Sequence, residues 1–509
     1  MASEISSNRT IAKNTMFLYF RMMFTMLISL YTSRVILQKL GVTDFGLYQS
    51  VGGVVGFLSF INGALSTGSS RFLTFELGTG NFEKLKKVFS TVLTVHILLS
   101  FVIVLLAETL GLWFVYNKLV IPPNRFAAVV YTYQFSVLAC ILSITQVPYN
   151  ASIISHEKMS VYAYISIYEV VMKLLICYLL SIHGFDKLEL YTTFYFFVNV
   201  SIMIFYRYYC VRNFKETKYK FLFDKKIFKE IASFSTWSLF AGISFALTGQ
   251  GIIVLLNMFF TPAVVTARAI SLQVNTAAVQ FVNSFRTAAN PQIVKKYAAK
   301  DYDGSKKLLL LSTRFSYYLM LVICLPVCFV SGSLLHLWLG QVPPYADIFL
   351  QLIVIQSLFQ VFDTSFYTAL YAKGRLKENA LISPTLGIVA FPIIYVLFKL
   401  GYSPVSLSWA MIIVNVLLGV IIKPVLLVKI VNYTYKDILN VFSPCLKVTV
   451  LSFAIAIVID HFVRGTSIIA FFTEVALIVF FALLVIFFIG IEKNMKEQFV
   501  KILVKKFNI

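Results

Sequence analysis

Residues 467–490 read SIIAFFTEVALIVFFALLVIFFIG, a run in which Glu474 is the only ionisable side chain. The hydrocarbon core of a bilayer is about 30 Å thick, and a helix of roughly 20 apolar residues spans it. This run therefore predicts a transmembrane helix.

The same kind of apolar run recurs along the whole chain. These runs lack the alternating ten-residue pattern of barrel strands. The sequence therefore predicts an all-α polytopic membrane protein with about 14 transmembrane helices. The predicted helices are 14–38, 46–68, 88–111, 124–147, 160–182, 188–211, 233–258, 262–290, 308–332, 346–371, 380–400, 404–428, 445–463 and 467–490.

The composition excludes several classes of protein. Of the 509 residues, 59% are hydrophobic and 13% are charged, whereas a soluble domain has about 25% charged residues. A soluble enzyme, a disordered chain and a secreted disulfide scaffold are thus excluded. The net charge of +22 would suggest nucleic acid in a soluble protein, but in a membrane protein it indicates basic cytoplasmic loops. We therefore expect no nucleic-acid partner.

The distribution of basic residues predicts the topology. With the N-terminus in the cytoplasm, 32 of the 44 Lys and Arg residues lie in cytoplasmic segments, 7 in external ones and 5 within spans. This bias predicts that both termini are cytoplasmic. The largest basic connection, 207–230, follows the sixth helix, and a weak repeat between 83–87 and 303–307 supports two halves. The predicted parts are an N-lobe at 1–211, a basic linker at 212–232, a C-lobe at 233–430, and two further helices with a basic tail at 431–509.

Patterns that support catalysis are absent from the sequence. It has no Gly-rich phosphate-binding loop, its five histidines are scattered, and its six cysteines fall in or beside apolar runs. The external loops are short and carry only isolated acids. We therefore predict no catalytic residue, no metal and no cofactor, and a transporter rather than an enzyme.

The eighth predicted helix carries the most informative polar residues. Arg268 and Arg286 are separated by five helical turns and share a face with Asn275. Gln280 widens this face into a polar arc. Since an ionisable residue in a span is costly, the pattern predicts a helix that lines a hydrated cavity. Hydrogen bonds between neighbouring helices are the alternative explanation for the amides.

The first two helices are also candidates for the binding site. Arg21 and Arg34 lie in the first helix, although Arg34 is close enough to its outer end to snorkel. Asn62 lies on a polar face of the second helix, where small residues also allow close packing alone. We predict that all three line the same cavity.

Two further sets of charges are candidates for coupling or charge neutralisation. Glu169 and Lys173 stand four residues apart in the fifth helix, in an order that also allows them simply to neutralise each other. Asp363 in the tenth helix has no local cation, so we expect a partner from another helix, Arg268 or Arg286.

Cations outnumber acids within the spans, which favours an anionic cargo. Arginine suits a phosphate or pyrophosphate through paired hydrogen bonds.

Four stretches of the chain resemble the polysaccharide flippases of bacterial surface-glycan pathways, which belong to the multidrug/oligosaccharidyl-lipid/polysaccharide exporter superfamily. The similarity spans most of the chain through residue 430, and its most specific string is Leu-Gly-x-x-Asp-Phe-Gly-Leu-Tyr. The stretches are 29–53 (SLYTSRVILQKLGVTDFGLYQSVGG), 148–180 (PYNASIISHEKMSVYAYISIYEVVMKLLICYLL), 290–303 (NPQIVKKYAAKDYD) and 338–350 (WLGQVPPYADIFL).

The resemblance implies two pseudo-symmetric six-helix lobes around a central cavity, followed by two C-terminal helices that form a groove for a lipid tail. It implies a protein of the bacterial cytoplasmic (inner) membrane that works by alternating access. The implied cargo is an undecaprenyl-diphosphate-linked oligosaccharide, moved from the inner to the outer leaflet for surface polysaccharide or lipopolysaccharide biosynthesis. Membrane lipids, a glycan polymerase and other pathway proteins are the implied partners.

The related lipid II flippase also suggests site residues. Its cavity arginines come from the first, second and eighth helices, and Arg21, Arg34 and Arg268 match them by helix. The second helix departs from this pattern, because its only cation, Arg71, lies at the cytoplasmic end.

Two other functions stay open from the sequence. A cation-coupled multidrug exporter has the same fold, but such exporters often carry a carboxylate in the first helix, where this chain has Arg21 and no acid. A membrane glycan polymerase or ligase would need a longer external loop. The fold alone does not decide among these functions.

Overall fold

A computed structural model shows how the chain folds. It describes residues 2–58, 60–156, 158–181, 184–463, 465, 467–492 and 496–497. Within these ranges the side chains of 2–21, 58, 60–68, 71, 159, 231–239, 241, 287–288 and 376–377 are not described. The described ranges contain no β-strand, which confirms the all-α prediction.

Fourteen helices follow one another in the part of the chain that the structure describes, as the sequence predicts. They are α1 (Ala2–Leu58), α2 (Phe60–Thr79), α3 (Phe82–Asn117), α4 (Pro123–Ser155), α5 (Met159–Leu179), α6 (Lys187–Asn213), α7 (225–259), α8 (Pro262–Ala298), α9 (Tyr302–Leu339), α10 (Ala346–Ala372), α11 (Leu376–Lys399), α12 (Ser406–Val431), α13 (Tyr435–Val463) and α14 (Ile468–Gly490).

Eleven helices among the described residues are long and apolar enough to cross a membrane, namely α3–α7 and α9–α14. Helix α8 is not among them, although it is 37 residues long. Its apolar positions are interrupted by the polar face noted above, so its mean hydropathy falls below that of its neighbours. A long helix with a polar face suits a position away from lipid.

A break in helical geometry separates the first two predicted helices. The sequence predicts separate helices at 14–38 and 46–68, and within α1 the backbone leaves helical geometry between them, at Gly41. Gly41 has φ 83° and ψ 167°, a conformation that glycine adopts readily because it has no Cβ. The expected external turn is therefore a kink at a single residue.

The helices of the first compact unit come from Met1–Ala269 and Pro384–Leu400. Within it α1 packs on α5, α4 packs on α6, and α2 packs on α4 and α7. Buried side chains of α1, α3 and α4, among them Leu47, Ile103 and Tyr133, form its core.

The second unit comprises Ile270–Ser383 and Gly401–Ile509. Here α9 packs on α10, and α10 packs on α12. The C-terminal helices α13 and α14 pack on each other and on α9, around buried side chains that include Leu325, Ile459 and Ile478. The lobe boundaries at 211, 232 and 430 stay a prediction.

Candidate functional site

The Leu-Gly-x-x-Asp-Phe-Gly-Leu-Tyr string supplies a carboxylate that ties three helices together. Asp44, just after the kink of α1, accepts two hydrogen bonds from Arg125 at the start of α4, with Nε–Oδ1 and Nη2–Oδ2 distances of 2.8 and 2.7 Å. Arg125 also donates to both carboxylate oxygens of Asp186, at 2.5 and 3.0 Å. Asp186 caps the N-terminus of α6, and hydrogen bonding from Arg125 lowers the pKa of its carboxyl group below the ordinary value.

The second glycine of that string allows a close helix contact. A Cβ atom at Gly46 would collide with the carbonyl oxygen of Pro262 at the start of α8. One turn further along α8, Thr266 Oγ1 donates to Val42 O at 2.7 Å. Arg268 follows on the same helix, and only 2% of its surface is exposed. The motif therefore positions the beginning of α8, where a predicted site residue lies.

Further along α8, polar side chains contact α10. Ser357 Oγ donates to Asn275 Oδ1 at 2.6 Å, and Thr368 Oγ1 donates to Asn290 Oδ1 at 3.3 Å. Gln280 is exposed. These bonds attach α8 to α10 within the second unit, and a role of Asn275 and Gln280 in cargo binding stays a prediction.

The second unit contains a buried ion pair. Lys423 Nζ on α12 lies 3.0 Å from Asp363 Oδ1 on α10. Lys423 also donates to Asn379 Oδ1 on α11, and its ammonium group lies 5.6 Å from the centre of the Tyr367 ring. Only 1% of the Lys423 surface is exposed, so its charge is held deep in the unit by groups from two neighbouring helices, α10 and α11.

A second cation lies beside this pair. Arg286 on α8 is 9% exposed and donates to the carbonyl oxygen of Thr364, the residue that follows Asp363. Its guanidinium group is close enough to Asp363 for their charges to interact. We call Arg286, Asp363 and Lys423 the buried cluster. It carries two positive charges against one negative charge, and buried charge without full compensation is expensive.

The sequence predicts that Asp363 pairs with Arg268 or Arg286, but its ionic partner in the structure is a different residue. The direct partner is Lys423 on α12. Gly419 explains the contact, because a Cβ atom there would lie 2.5 Å from Phe359 O on α10. Lys423 lies one turn after Gly419, and Asp363 lies one turn after Phe359. The close approach of the two helices therefore places Lys423 opposite Asp363. A lone lysine within the apolar run 417–428 was the available sequence signal.

The remaining candidates belong to the first unit. Glu169 and Lys173 form the predicted ion pair on α5, with Oε1 and Nζ 2.7 Å apart. Arg34 is partly exposed on α1. The side chains of Arg21 and Asn62 lie outside the described residues. The role of these residues in cargo binding stays a prediction.

The comparisons with known proteins define a structural class. The sequence matches no protein-family profile, and it matches no curated protein. Its structure, in contrast, is similar to those of several membrane transporters. The chain is an all-α, multi-pass membrane protein with the fold shared by transporters of the MOP superfamily.

Particular solved structures show this fold. The lipid II flippase MurJ in an inward closed conformation matches with a TM-score of 0.71 at 11% identity, covering 93% of this chain and 98% of MurJ. An inward-facing multidrug resistance MATE family transporter of the MOP superfamily matches with a TM-score of 0.63 at 12% identity, covering 78% and 92%. The MATE multidrug transporter DinF-BH matches with a TM-score of 0.60 at 16% identity, covering 83% and 96%.

Proposed function

We propose that this protein is a flippase that moves an undecaprenyl-diphosphate-linked oligosaccharide from the inner to the outer leaflet of the bacterial cytoplasmic membrane. It does so by alternating access, without catalysis, and it serves surface polysaccharide biosynthesis. The observation that carries the proposal is the buried cluster of Arg286, Asp363 and Lys423.

The charge of the cluster favours an anionic cargo. Asp363 compensates one of the two cations, so one positive charge remains within helices α8, α10 and α12. In surroundings of low dielectric constant this excess attracts an anion more strongly than it would in water. A diphosphate group supplies the missing negative charge, and Arg286 can bind it with paired hydrogen bonds.

The extent of the structural matches supports a lipid-linked cargo. The match to a lipid II flippase covers 93% of this chain, whereas the two multidrug transporters cover 78% and 83%. The larger coverage fits a chain that has two helices, α13 and α14, beyond the twelve of the two proposed lobes. We assign these helices to the lipid tail of the cargo.

Further residues belong to the same proposal. Arg268, buried at the start of α8, and Arg34 and Arg21 on α1 supply further positive charge for the diphosphate. The amides of Asn62, Asn275 and Gln280 bind sugar hydroxyls. The ion pair of Glu169 and Lys173 is assigned, with Asp363, to charge compensation or ion coupling during the transport cycle.

Reconstituted vesicles test the proposal directly. The purified protein is inserted into vesicles that hold an undecaprenyl-diphosphate oligosaccharide with a fluorescent group on its sugar. A membrane-impermeant reductant then bleaches only the label in the outer leaflet. We expect the protein to expose the inner-leaflet label to the reductant, and Arg286→Ala to slow this exposure by at least about tenfold, because it removes a charge-assisted contact.

An Asp363→Asn variant makes the test specific for charge. It raises the net charge of the cluster, so a soluble prenyl diphosphate should bind more tightly while flipping slows, because release from the cluster becomes harder. Glu230→Gln, at an exposed carboxylate of α7 outside the proposed site, is the matched control. Transport of a cationic dye by vesicles that do not flip the labelled lipid would favour a multidrug exporter instead, and growth of the glycan chain would favour a polymerase.

A further inference from the structure

A separate cavity of about 550 Å³ lies in the second unit, beside the starts of α9 and α13 and the end of α14. Its walls are formed by charged side chains and by a smaller apolar set, Leu310, Val441 and Pro444. The charged side chains are Asp303, Lys306, Lys307, Arg314, Asp437 and Glu492. None of these residues belongs to the buried cluster.

Four of the charged groups neutralise one another in pairs. Lys306 Nζ lies 2.5 Å from Asp437 Oδ2, and Arg314 Nη2 lies 2.5 Å from Glu492 Oε1. The ammonium group of Lys306 also lies 5.6 Å from the ring centre of Tyr433. These pairs join α9 to α13 and to the residues after α14, so they build the walls of the cavity.

The other two charged groups face the cavity without such a partner. Neither Asp303 nor Lys307 forms an ion pair with any residue that the structure describes. They stand four residues apart on α9, so they lie on the same side of the helix about 6 Å apart at Cβ. In the described part of the chain, Arg314 Nε is likewise a buried donor without a hydrogen-bond acceptor. The cavity thus offers one carboxylate and one ammonium group, beside the guanidinium group of Arg314 in its wall.

This set of groups complements a zwitterion rather than a simple anion. The cavity as a whole is electrically neutral, with three acids and three cations. A ligand that carries both a phosphate and a primary ammonium group pairs its phosphate with Lys307 and Arg314, and its ammonium with Asp303. The carboxylate of Asp303 and the ammonium group of Lys307 then each have a partner, which a purely anionic ligand would not achieve.

The position of the cavity points to a membrane lipid as the source of that zwitterion. Helix α13, which forms one wall, exposes Leu439, Leu446 and Val450 on its outer surface, each more than half exposed. Such an apolar face suits contact with acyl chains, and pockets with basic residues between transmembrane helices are known to bind lipid headgroups. We propose that this cavity binds the headgroup of phosphatidylethanolamine, a site independent of the flippase function proposed above.

Lipid-dependent thermal stability tests the assignment. The full-length protein in detergent is supplied separately with phosphatidylethanolamine, phosphatidylcholine or phosphatidylglycerol, and its melting temperature and apparent Kd are measured. Phosphatidylethanolamine should give the largest rise, because phosphatidylcholine has no N–H donor for Asp303 and phosphatidylglycerol has no cation. Asp303→Asn and Lys307→Gln should each raise the apparent Kd about tenfold, as expected for loss of a charge-assisted hydrogen bond.

Lys295→Gln, at an exposed lysine near the end of α8, is the matched control and should keep the wild-type response. Soluble phosphoethanolamine should compete with the lipid on the wild-type protein, a measurement that does not depend on how the variants fold. An equal or larger rise with phosphatidylglycerol would overturn the proposal. An unchanged response of Asp303→Asn would also overturn it. A failure of phosphoethanolamine to compete would overturn it as well, because the binding would then depend on the acyl chains.

Discussion

Lys423 Nζ lies 3.0 Å from Asp363 Oδ1, and the surrounding helices leave only 1% of the lysine surface exposed. The contact depends on Gly419, which lets α12 approach the backbone of α10. With Arg286 alongside, the pair leaves a positive excess inside the second unit. This excess is the physical basis of the proposed anion site, and it generates the first prediction.

Removing either partner of the pair should destabilise the protein more than removing both. Lys423→Gln leaves Asp363 facing Arg286 alone, and Asp363→Asn leaves Lys423 as an uncompensated buried cation. We expect a coupling energy on the order of 1–3 kcal/mol between the two substitutions, measured by denaturation in mixed micelles. The exposed pair Lys296 and Asp301 should show a coupling close to zero. Additive effects at 363 and 423 would contradict a buried pair.

Two glycines of α1 should respond in opposite ways to alanine. Gly46→Ala places a Cβ atom against the carbonyl oxygen of Pro262, and a backbone atom cannot move aside easily, so we expect a loss of roughly 1–3 kcal/mol. A Cβ atom at Gly52 meets nothing within 4 Å, so Gly52→Ala should stabilise the helix by about 0.5–1 kcal/mol. Melting temperatures of the two variants check this, and equal shifts would disprove the close contact.

Arg268 should act through the geometry of its guanidinium group as well as its charge. Because the proposed cargo carries a diphosphate, Arg268→Lys should keep part of the flipping rate and Arg268→Ala should lose most of it. The measurement is flipping per unit of correctly inserted protein, so that a folding defect is separated from a transport defect. Full transport by a normally inserted Arg268→Ala protein would remove this residue from the site.

The network around Arg125 should make stability depend on pH. Its hydrogen bonds lower the pKa of Asp186 below the ordinary value of 3.8. A carboxyl group whose pKa is lowered by folding stabilises the protein above its unfolded pKa, and this stabilisation is lost as the pH falls through the folded value. Arg125→Gln should therefore lower the melting temperature at pH 7, and the difference from wild type should shrink below about pH 4.

Lys296→Gln, at the exposed ion pair with Asp301, is the control for this scan and should change the melting temperature little at any pH. A difference between Arg125→Gln and wild type that stays constant from pH 7 to the acid limit would show that Arg125 contributes through packing rather than through its charge.

The basic connection after α6 should face the cytoplasm. Lys218 is exposed there, so a single cysteine at this position, in a protein whose native cysteines are replaced, is accessible to a reagent from that side. We expect a membrane-impermeant thiol reagent to modify Lys218→Cys in inverted membranes but not in intact cells. Lys187→Cys at the start of α6, on the side predicted to be external, should show the reverse, and labelling of position 218 from outside would invert the proposed topology.

The amino-acid sequence by itself determined the fold class and the number of helices. Apolar length is a property of each segment alone, so runs such as 467–490 are recognisable without knowledge of their neighbours. The same local logic identified the polar face of α8 and the ion pair of Glu169 and Lys173, because residues three or four apart share a helix face wherever the helix lies.

Only the tertiary structure decided which distant groups meet. The break between the first two predicted helices is confined to a kink at Gly41, whose φ and ψ angles are not helical. Asp363 was paired with Lys423, far along the chain, because Gly419 permits a close helix crossing that no periodicity reveals. Asp44 was joined to Arg125 through packing of α1 against α4. Charges on separate helices interact only after the helices pack, and the packing depends on side-chain shape over long separations in sequence.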